Sequence, residues 1–185
     1  MTDRNESLAA ALGVLNRDGA ASMAQVAEAA GTSRATLHRH FDSREAMLVE
    51  LGTRSLDRWE QRLDAVDVEA LAAAGDPALL REGLEALVLG YVDDADDFGF
   101  ALTDHVILAS EELDERAARL ADRETALFRA AQEAGVLRAG VTPAWFGHAA
   151  YGLLVGMREA LRVGAVARRD AGELVVSSFF DGVAR

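Results

Sequence analysis

The 185-residue chain contains no cysteine and no lysine, only two prolines, and aromatic side chains at 6% of its positions. Without cysteine there can be no disulfide framework, no thiolate metal site and no thiol nucleophile. Both prolines, Pro77 and Pro143, fall where a first helical turn tolerates them, so Asp76 and Thr142 are expected as helix caps. No run approaches the ~20 uninterrupted apolar residues that cross a bilayer. The opening residues 1–6 are polar and lack the apolar core of a signal peptide. A cytoplasmic chain with no membrane partner is expected. The sequence also lacks a Gly-x-Ser-x-Gly elbow, a His-Glu-x-x-His pair and a phosphate loop. It offers no catalytic residues, implies no cofactor, and reads as something other than an enzyme.

Metal sites are equally unsupported. His38 and His40 stand two apart, so on a helix they face different directions. The acidic runs Asp93-Asp94-x-Asp96-Asp97 and Glu111-Glu112-x-Asp114-Glu115 lack the alternating oxygen frame of a calcium loop and read as solvated surface. No metal is expected.

What is present is acid and hydrophobe. Net charge is −12 and half the residues are hydrophobic, enough for a core without staples. Such a charge argues against coating nucleic acid by bulk attraction. Its distribution is uneven, however. Residues 1–54 carry net −1 and residues 55–185 net −11, while residues 31–44 alone carry net +2 with two histidines besides. One cationic end on an anionic body would orient the molecule toward phosphates.

Apolar periodicity is helical throughout, with no alternation long enough for a sheet, so the fold class is all-α with about nine helices. They are expected over 5–18, 23–30, 33–40, 43–66, 77–95, 98–110, 112–134, 143–163 and 169–184. The helix over 43–66 should bridge a small three-helix unit (1–50) and a larger helical body (51–185), because Trp59, Leu63 and Val66 must pack away from its start.

The segment 22–44 carries the sharpest signal. Ser22 can cap a short helix in which Met23, Val26, Ala27 and Ala30 recur at helical spacing. Gly31 follows, where a chain leaving a helix commonly needs a left-handed backbone. Ser33 caps a second helix whose buried stripe is Leu37 and Phe41, with Arg34, Thr36, His38, Arg39 and His40 on the other side. Two short helices joined by a tight turn, the second basic outside, suit insertion into a major groove. Thr32, Ser33 and Arg34 place hydroxyls, backbone N–H groups and a guanidinium at a helix start that favours anions. Arg34 or Arg39 could contact guanine bidentately, and Ala35 is small enough for close approach and could touch a thymine methyl. Ser22 and Arg4 are further candidates for the DNA backbone.

Gly31-Thr-Ser-Arg-Ala-Thr-Leu-His-Arg-His-Phe-Asp-Ser-Arg-Glu-Ala-Met-Leu48 resembles the recognition helix and following helix start of the tetracycline-repressor (TetR) family. Leu37, His40, Phe41, Arg44 and Glu45 fit its pattern. His38 stands where the family usually has Tyr, and Arg44 where it usually has Lys; both can still donate to a phosphate. The resemblance implies phosphate contacts from Thr36, His38 and Arg44, a double-stranded and palindromic DNA operator, and a homodimer. It also implies an effector pocket in the body.

For the dimer, the wide apolar stripes of the last two helices supply Phe146, Ala150, Leu153, Leu154, Met157, Leu161 and Phe179 as candidates, flattened by Gly147, Gly152 and Gly156. For the small-molecule pocket the candidates are the body aromatics Trp59, Tyr91, Phe100, Phe128 and Trp145, with Asp104 and His105 as polar groups. The acidic body and Asp104 lean toward a neutral or cationic effector. The competing reading is a helical sensor or interaction module with a vestigial DNA motif. It predicts no sequence selectivity and no steep salt dependence.

Overall fold

A computed structural model describes residues 3–183, and the expected last-helix end at 184 and domain bounds at 1 and 185 lie outside them. The described residues form α1 (Arg4–Leu15), α2 (Met23–Ala29), α3 (Arg34–His40), α4 (Arg44–Ala65) and α5 (Val68–Ala74), then α6 (Pro77–Phe98), α7 (His105–Leu108), α8 (Glu111–Glu133), α9 (Ala144–Arg162) and α10 (Ala171–Val183). Two 3₁₀ turns, Gly99–Leu102 and Arg168–Asp170, complete the fold, which is all-α. Helix α5 was not expected. The span expected as one helix over 98–110 breaks into a 3₁₀ turn and the single-turn α7, because the Asp104 side chain accepts hydrogen bonds from Val106 N (2.9 Å) and Ile107 N (3.2 Å) and restarts the helix.

Local chemistry sets the ends of these elements. Asp3 and Glu6 form a reciprocal capping box at α1, and Ser22 and Gln25 another at α2. Ser33 and Ser43 accept from backbone N–H groups three residues on, opening α3 and α4. Asp76 caps α6 ahead of Pro77, as expected. At α9 the expectation fails. No side-chain cap is made there, Thr142 contributing only its carbonyl to Trp145 N at 3.0 Å. Gly31 takes φ +60°, the left-handed conformation that lets α2 turn into α3.

Seven-residue helices such as α3 do not stand alone in water. Burial of Leu37 and Phe41, each worth roughly 1.5–3 kcal/mol, fastens α3 to a cluster of Leu8, Leu15, Val26, Met47 and Leu51. A second cluster, in the body, gathers Leu63, Leu84, Leu127, Phe128, Phe146 and Phe179. Helix α4 spans both, with Met47, Leu48 and Leu51 in the first, Leu63 in the second, and Leu56 touching each. The first cluster also takes in Phe100, Ala101, Ile107 and Leu113, so the 3₁₀ turn, α7 and the start of α8 press on the N-terminal helices. At Gly52 a β-carbon would stand 2.6 Å from Leu113 Cδ1, which shows how closely α4 passes α8 there.

Arginines then rivet α4 to its neighbours. Arg62 holds Asp94 of α6 bidentately at 2.8 and 2.9 Å, and Arg116 of α8 holds Asp57 (2.7 Å) and Glu60 (2.6 Å). Asp94 is therefore a half-buried ion-pair partner and not solvated surface, whereas Asp93, Asp96 and Asp97 are exposed, Asp96 pairing there with Arg168.

Candidate nucleic-acid interface and effector cavity

Helix α3 turns Leu37 inward and leaves Arg34, Ala35, His38 and Arg39 exposed. At about 100° per residue these four occupy one arc of roughly 140°. The helix start is pre-ordered. Ser33 Oγ lies 3.0 Å from Thr36 Oγ1 and accepts from Thr36 N at 3.1 Å, while Arg39 reaches Thr36 Oγ1 at 3.5 Å and Arg34 Nε donates to His38 Nε2 at 3.4 Å. Ser22 is exposed at the start of α2, and Thr32 is half-buried in the turn.

Many of the body's arginines are paired. Arg58, Arg62, Arg116, Arg123, Arg162 and Arg168 each have a carboxylate within 4.0 Å. Among the described residues Arg34 and Arg39 have none, so their charge is left open to solvent.

Three of the expected contact residues are engaged by other parts of the chain. Arg44 donates from Nε to the Ala21 carbonyl at 3.0 Å and from an Nη to the Gly19 carbonyl at 2.6 Å, tying the α1–α2 loop to α4. His40 is half-buried, with Nε2 enclosed and its ring 6.3 Å from that of Phe41. Arg4 pairs with Glu50 and lies 5.0 Å over the Phe41 ring.

In the body, a cavity of about 420 Å³ opens between α4, α6, α8 and α9, closed at one end by the 3₁₀ turn and α7. Its aromatic walls are Trp59, Tyr91, Phe98 and Tyr151, and the small side chains of Ala117, Ala121 and Gly147 leave the void. The polar groups form a chain. Trp59 Nε1–H donates to the Tyr91 hydroxyl at 2.9 Å, which donates to Glu124 Oε1 at 2.6 Å. Burial in this apolar setting pushes the Glu124 carboxyl up to about 7, opposed by the Tyr91 hydrogen bond. Desolvation, with the neighbouring Glu124 charge, holds the Tyr91 hydroxyl well above its ordinary range.

The expected pocket residues divide. Trp59 and Tyr91 line the cavity. Phe128 does not, because it is buried in the body core against Phe146 (5.8 Å) and Phe179 (6.4 Å). Trp145 is 48% exposed on the outer surface. Phe100 is buried in the N-terminal cluster, Asp104 is spent as the α7 cap, and His105 is exposed beside them on a shallow cleft flanked by Arg44 and Arg158. Glu124 and His148 went unnoticed as lining groups. Glu124 had a signal: Leu113, Ala117, Leu120, Glu124, Leu127 and Ala131 form one helical stripe with an acid inside it.

The expected dimer residues divide as well. Phe146, Ala150 and Phe179 are buried within the protomer, and Leu154 nearly so, because the large side chains of both stripes fill the chain's own core. They have no surface left for a partner. Leu153, Met157 and Leu161 remain half-buried. The exposed apolar surface of α9 and its flank comprises Trp145, Gly152, Gly156 and Val163, with Leu174 on α10. A β-carbon at Gly152 or Gly156 would meet nothing within 4 Å.

A hydrogen-bonded joint links the N-terminal helices to the cavity's end. Asn16, closing α1, donates to the carbonyls of Asp96 (3.1 Å) and Asp97 (2.5 Å) and accepts from Phe100 N (3.3 Å), while Arg158 of α9 reaches the Asn16 carbonyl at 3.4 Å. Among the described residues no helix is long and apolar enough to cross a membrane.

These features define an all-helical protein with an N-terminal helix-turn-helix and an apolar cavity in its body. Residues 8–51 match the family model of the bacterial regulatory proteins, tetR family, and this segment is a TetR-type helix-turn-helix. Whole-chain likeness extends to solved structures. The TetR-like transcriptional regulator LfrR from Mycobacterium smegmatis, in complex with proflavine, is 22% identical with TM-score 0.76, over 98% of this chain and 96% of that one. AibR, in complex with isovaleryl coenzyme A and operator DNA, is 20% identical with TM-score 0.74, over 96% and 97%. The TetR family transcriptional regulator PfmR from Thermus thermophilus is 24% identical with TM-score 0.69, over 100% and 99%. No curated protein sequence matches the chain.

Proposed function

We propose that the protein is a cytoplasmic, homodimeric transcriptional repressor, and not an enzyme, whose affinity for a palindromic operator changes when a small molecule occupies the body cavity. Residues 1–50 form the DNA-reading part and residues 51–185 the part that dimerises and binds the effector. The observation that carries this reading is the unpaired Arg34 and Arg39 on the exposed arc of α3, in a chain of net charge −12. The net negative charge of the body repels a duplex while that arc offers it two unpaired guanidiniums, which favours docking by α3 into the major groove.

In the complex, Ser22, Thr32, Ser33, Thr36 and His38 fix register on phosphates, while Arg34, Ala35 and Arg39 meet base edges. Arg44 and His40 support the motif from inside. The dimer forms through the exposed face of α9 and α10, where Gly152 and Gly156 let helices approach closely. Two half-sites about 34–36 Å apart are then read together. An effector in the cavity touches α4 directly and the Asn16 joint through the 3₁₀ turn, so it can alter the separation of the two α3 helices. It does so only through a difference in its affinity for the two arrangements. LfrR with proflavine and AibR with isovaleryl coenzyme A and operator DNA support this reading by binding such partners on the same fold.

Selection of duplexes from a random pool tests it. The expected product is a palindromic consensus whose binding falls steeply with salt. Arg39→Ala should weaken that binding by about 5- to 150-fold, the equivalent of roughly 1–3 kcal/mol, with thermal stability unchanged. Recovery of no preferred sequence would overturn the proposal.

A further inference from the structure

Resting on the reading of the cavity as an effector site, we infer that its ligand is an apolar, ring-bearing molecule with a protonated nitrogen, held by the Glu124 carboxylate at the cavity floor between aromatic walls.

Glu124 lies on the inner stripe of α8 and is 5% exposed. Its Oε1 accepts from the Tyr91 hydroxyl at 2.6 Å. An ionised carboxylate can only accept, while the Tyr91 oxygen itself receives the Trp59 N–H at 2.9 Å. Tyr91 must therefore spend its proton on Glu124. The second oxygen, Oε2, has no hydrogen bond or ion pair among the described residues and is not enclosed by protein. It faces the floor beside Gly147, where a β-carbon would crowd it at 3.1 Å. A carboxylate in this position has one oxygen satisfied by the protein and the other left for whatever fills the cavity.

The surrounding charges exclude an anion. The chain has no lysine, and no arginine lines the cavity. Asp94 on α6 also faces it but is neutralised by Arg62 at 2.8 Å and Arg58 at 3.4 Å. Asp114 of α8 and His148 of α9 stand at the mouth, toward solvent. Helix α4 contributes Ser55, Leu56 and Trp59, none of which titrates. A carboxylate ligand would meet an unpaired acid on entry. A hydrocarbon would leave Oε2 desolvated without a partner, at a cost the protein already bears in the raised carboxyl pKa. A protonated nitrogen removes that cost by ion pairing in a low-dielectric site, and the faces of Trp59, Tyr91, Phe98 and Tyr151 attract both a ring and its positive charge. Ala117 and Ala121 leave space for fused rings.

The test uses three anthracenes that differ only in the group at one ring carbon: 9-(aminomethyl)anthracene, 9-anthracenemethanol and anthracene-9-carboxylate. Each is titrated into the full-length protein at pH 8 and followed by ring fluorescence. The expected result is binding of the amine at least tenfold tighter than the alcohol, with the carboxylate weakest. Glu124→Gln should erase the amine's advantage while leaving alcohol affinity unchanged, which certifies the cavity as intact. Ala121→Trp, filling the void, should weaken all three. Equal affinity for amine and alcohol, or an amine preference that survives in Glu124→Gln, overturns this inference and leaves the cavity reading standing. If none of the three binds, both the inference and the cavity reading fall.

Discussion

Replacing Glu124 by Gln is expected to make the free protein more stable at pH 8 and to change little near pH 4. The wild-type carboxyl titrates at about 7 in the fold, against 4.5 ordinarily, chiefly because burial disfavours its charged form. A group whose folded-state pKa is raised contributes its full stability below the unfolded value and loses it as pH climbs through the folded one. Wild-type stability should accordingly decline between pH 4.5 and about 7 and level off above. At about 1.4 kcal/mol per pH unit, the ionised carboxylate costs about 3 kcal/mol at pH 8, shrinking to under about 1 kcal/mol at pH 5. Glutamine keeps an oxygen for the Tyr91 hydroxyl and cannot ionise, so it removes that loss. Urea unfolding of both proteins at pH 5 and pH 8, at one fixed chain concentration, measures the difference directly. Parallel pH profiles, or a variant less stable at pH 8, would refute the reasoning.

Other perturbations separate roles that the fold places side by side. Arg44→Ala should lower unfolding stability by roughly 1–3 kcal/mol in urea melts, since the Gly19 and Ala21 carbonyls lose their charged donor. An unchanged melt would return Arg44 to a phosphate-contacting role. Asn16→Ala, which cuts three hydrogen bonds from the end of α1 to α6 and the 3₁₀ turn after it, should leave effector affinity intact. It should also reduce the effector's influence on operator binding in a gel-shift titration; undiminished coupling would place the transmission elsewhere. Leu174→Glu puts a charge on the exposed apolar face of α10 and should give a monomer in size-exclusion light scattering at micromolar concentration. Retention of the wild-type mass would move the dimer face off α10.

The two sites differed in how far the sequence exposed them, and the reason is physical. A surface that meets DNA must keep its polar side chains outward on one short element, so Ser33, Arg34, Ala35, Thr36, His38 and Arg39 appear together in the chain as they do in space. The intramolecular partners of Arg4, His40 and Arg44 were hidden. For Arg44 the partners are backbone carbonyls more than twenty residues away, and carbonyls carry no sequence signature. A cavity is defined by what fails to fill it. Its walls come from residues between Gly52 and Leu154 on separate helices, and the alanines and glycine that leave the void look like ordinary helix formers and breakers. Size misled for the same reason. The phenylalanines Phe128, Phe146 and Phe179, wholly apolar, gain much from complete burial and went to the core, away from both ligand and partner. Small and half-polar side chains were left to border the empty space. The local trace of the cavity was a charge out of place, Glu124 where the α8 stripe calls for a hydrophobe. An acid held there against its own desolvation is explained most economically by a counter-ion that arrives from outside.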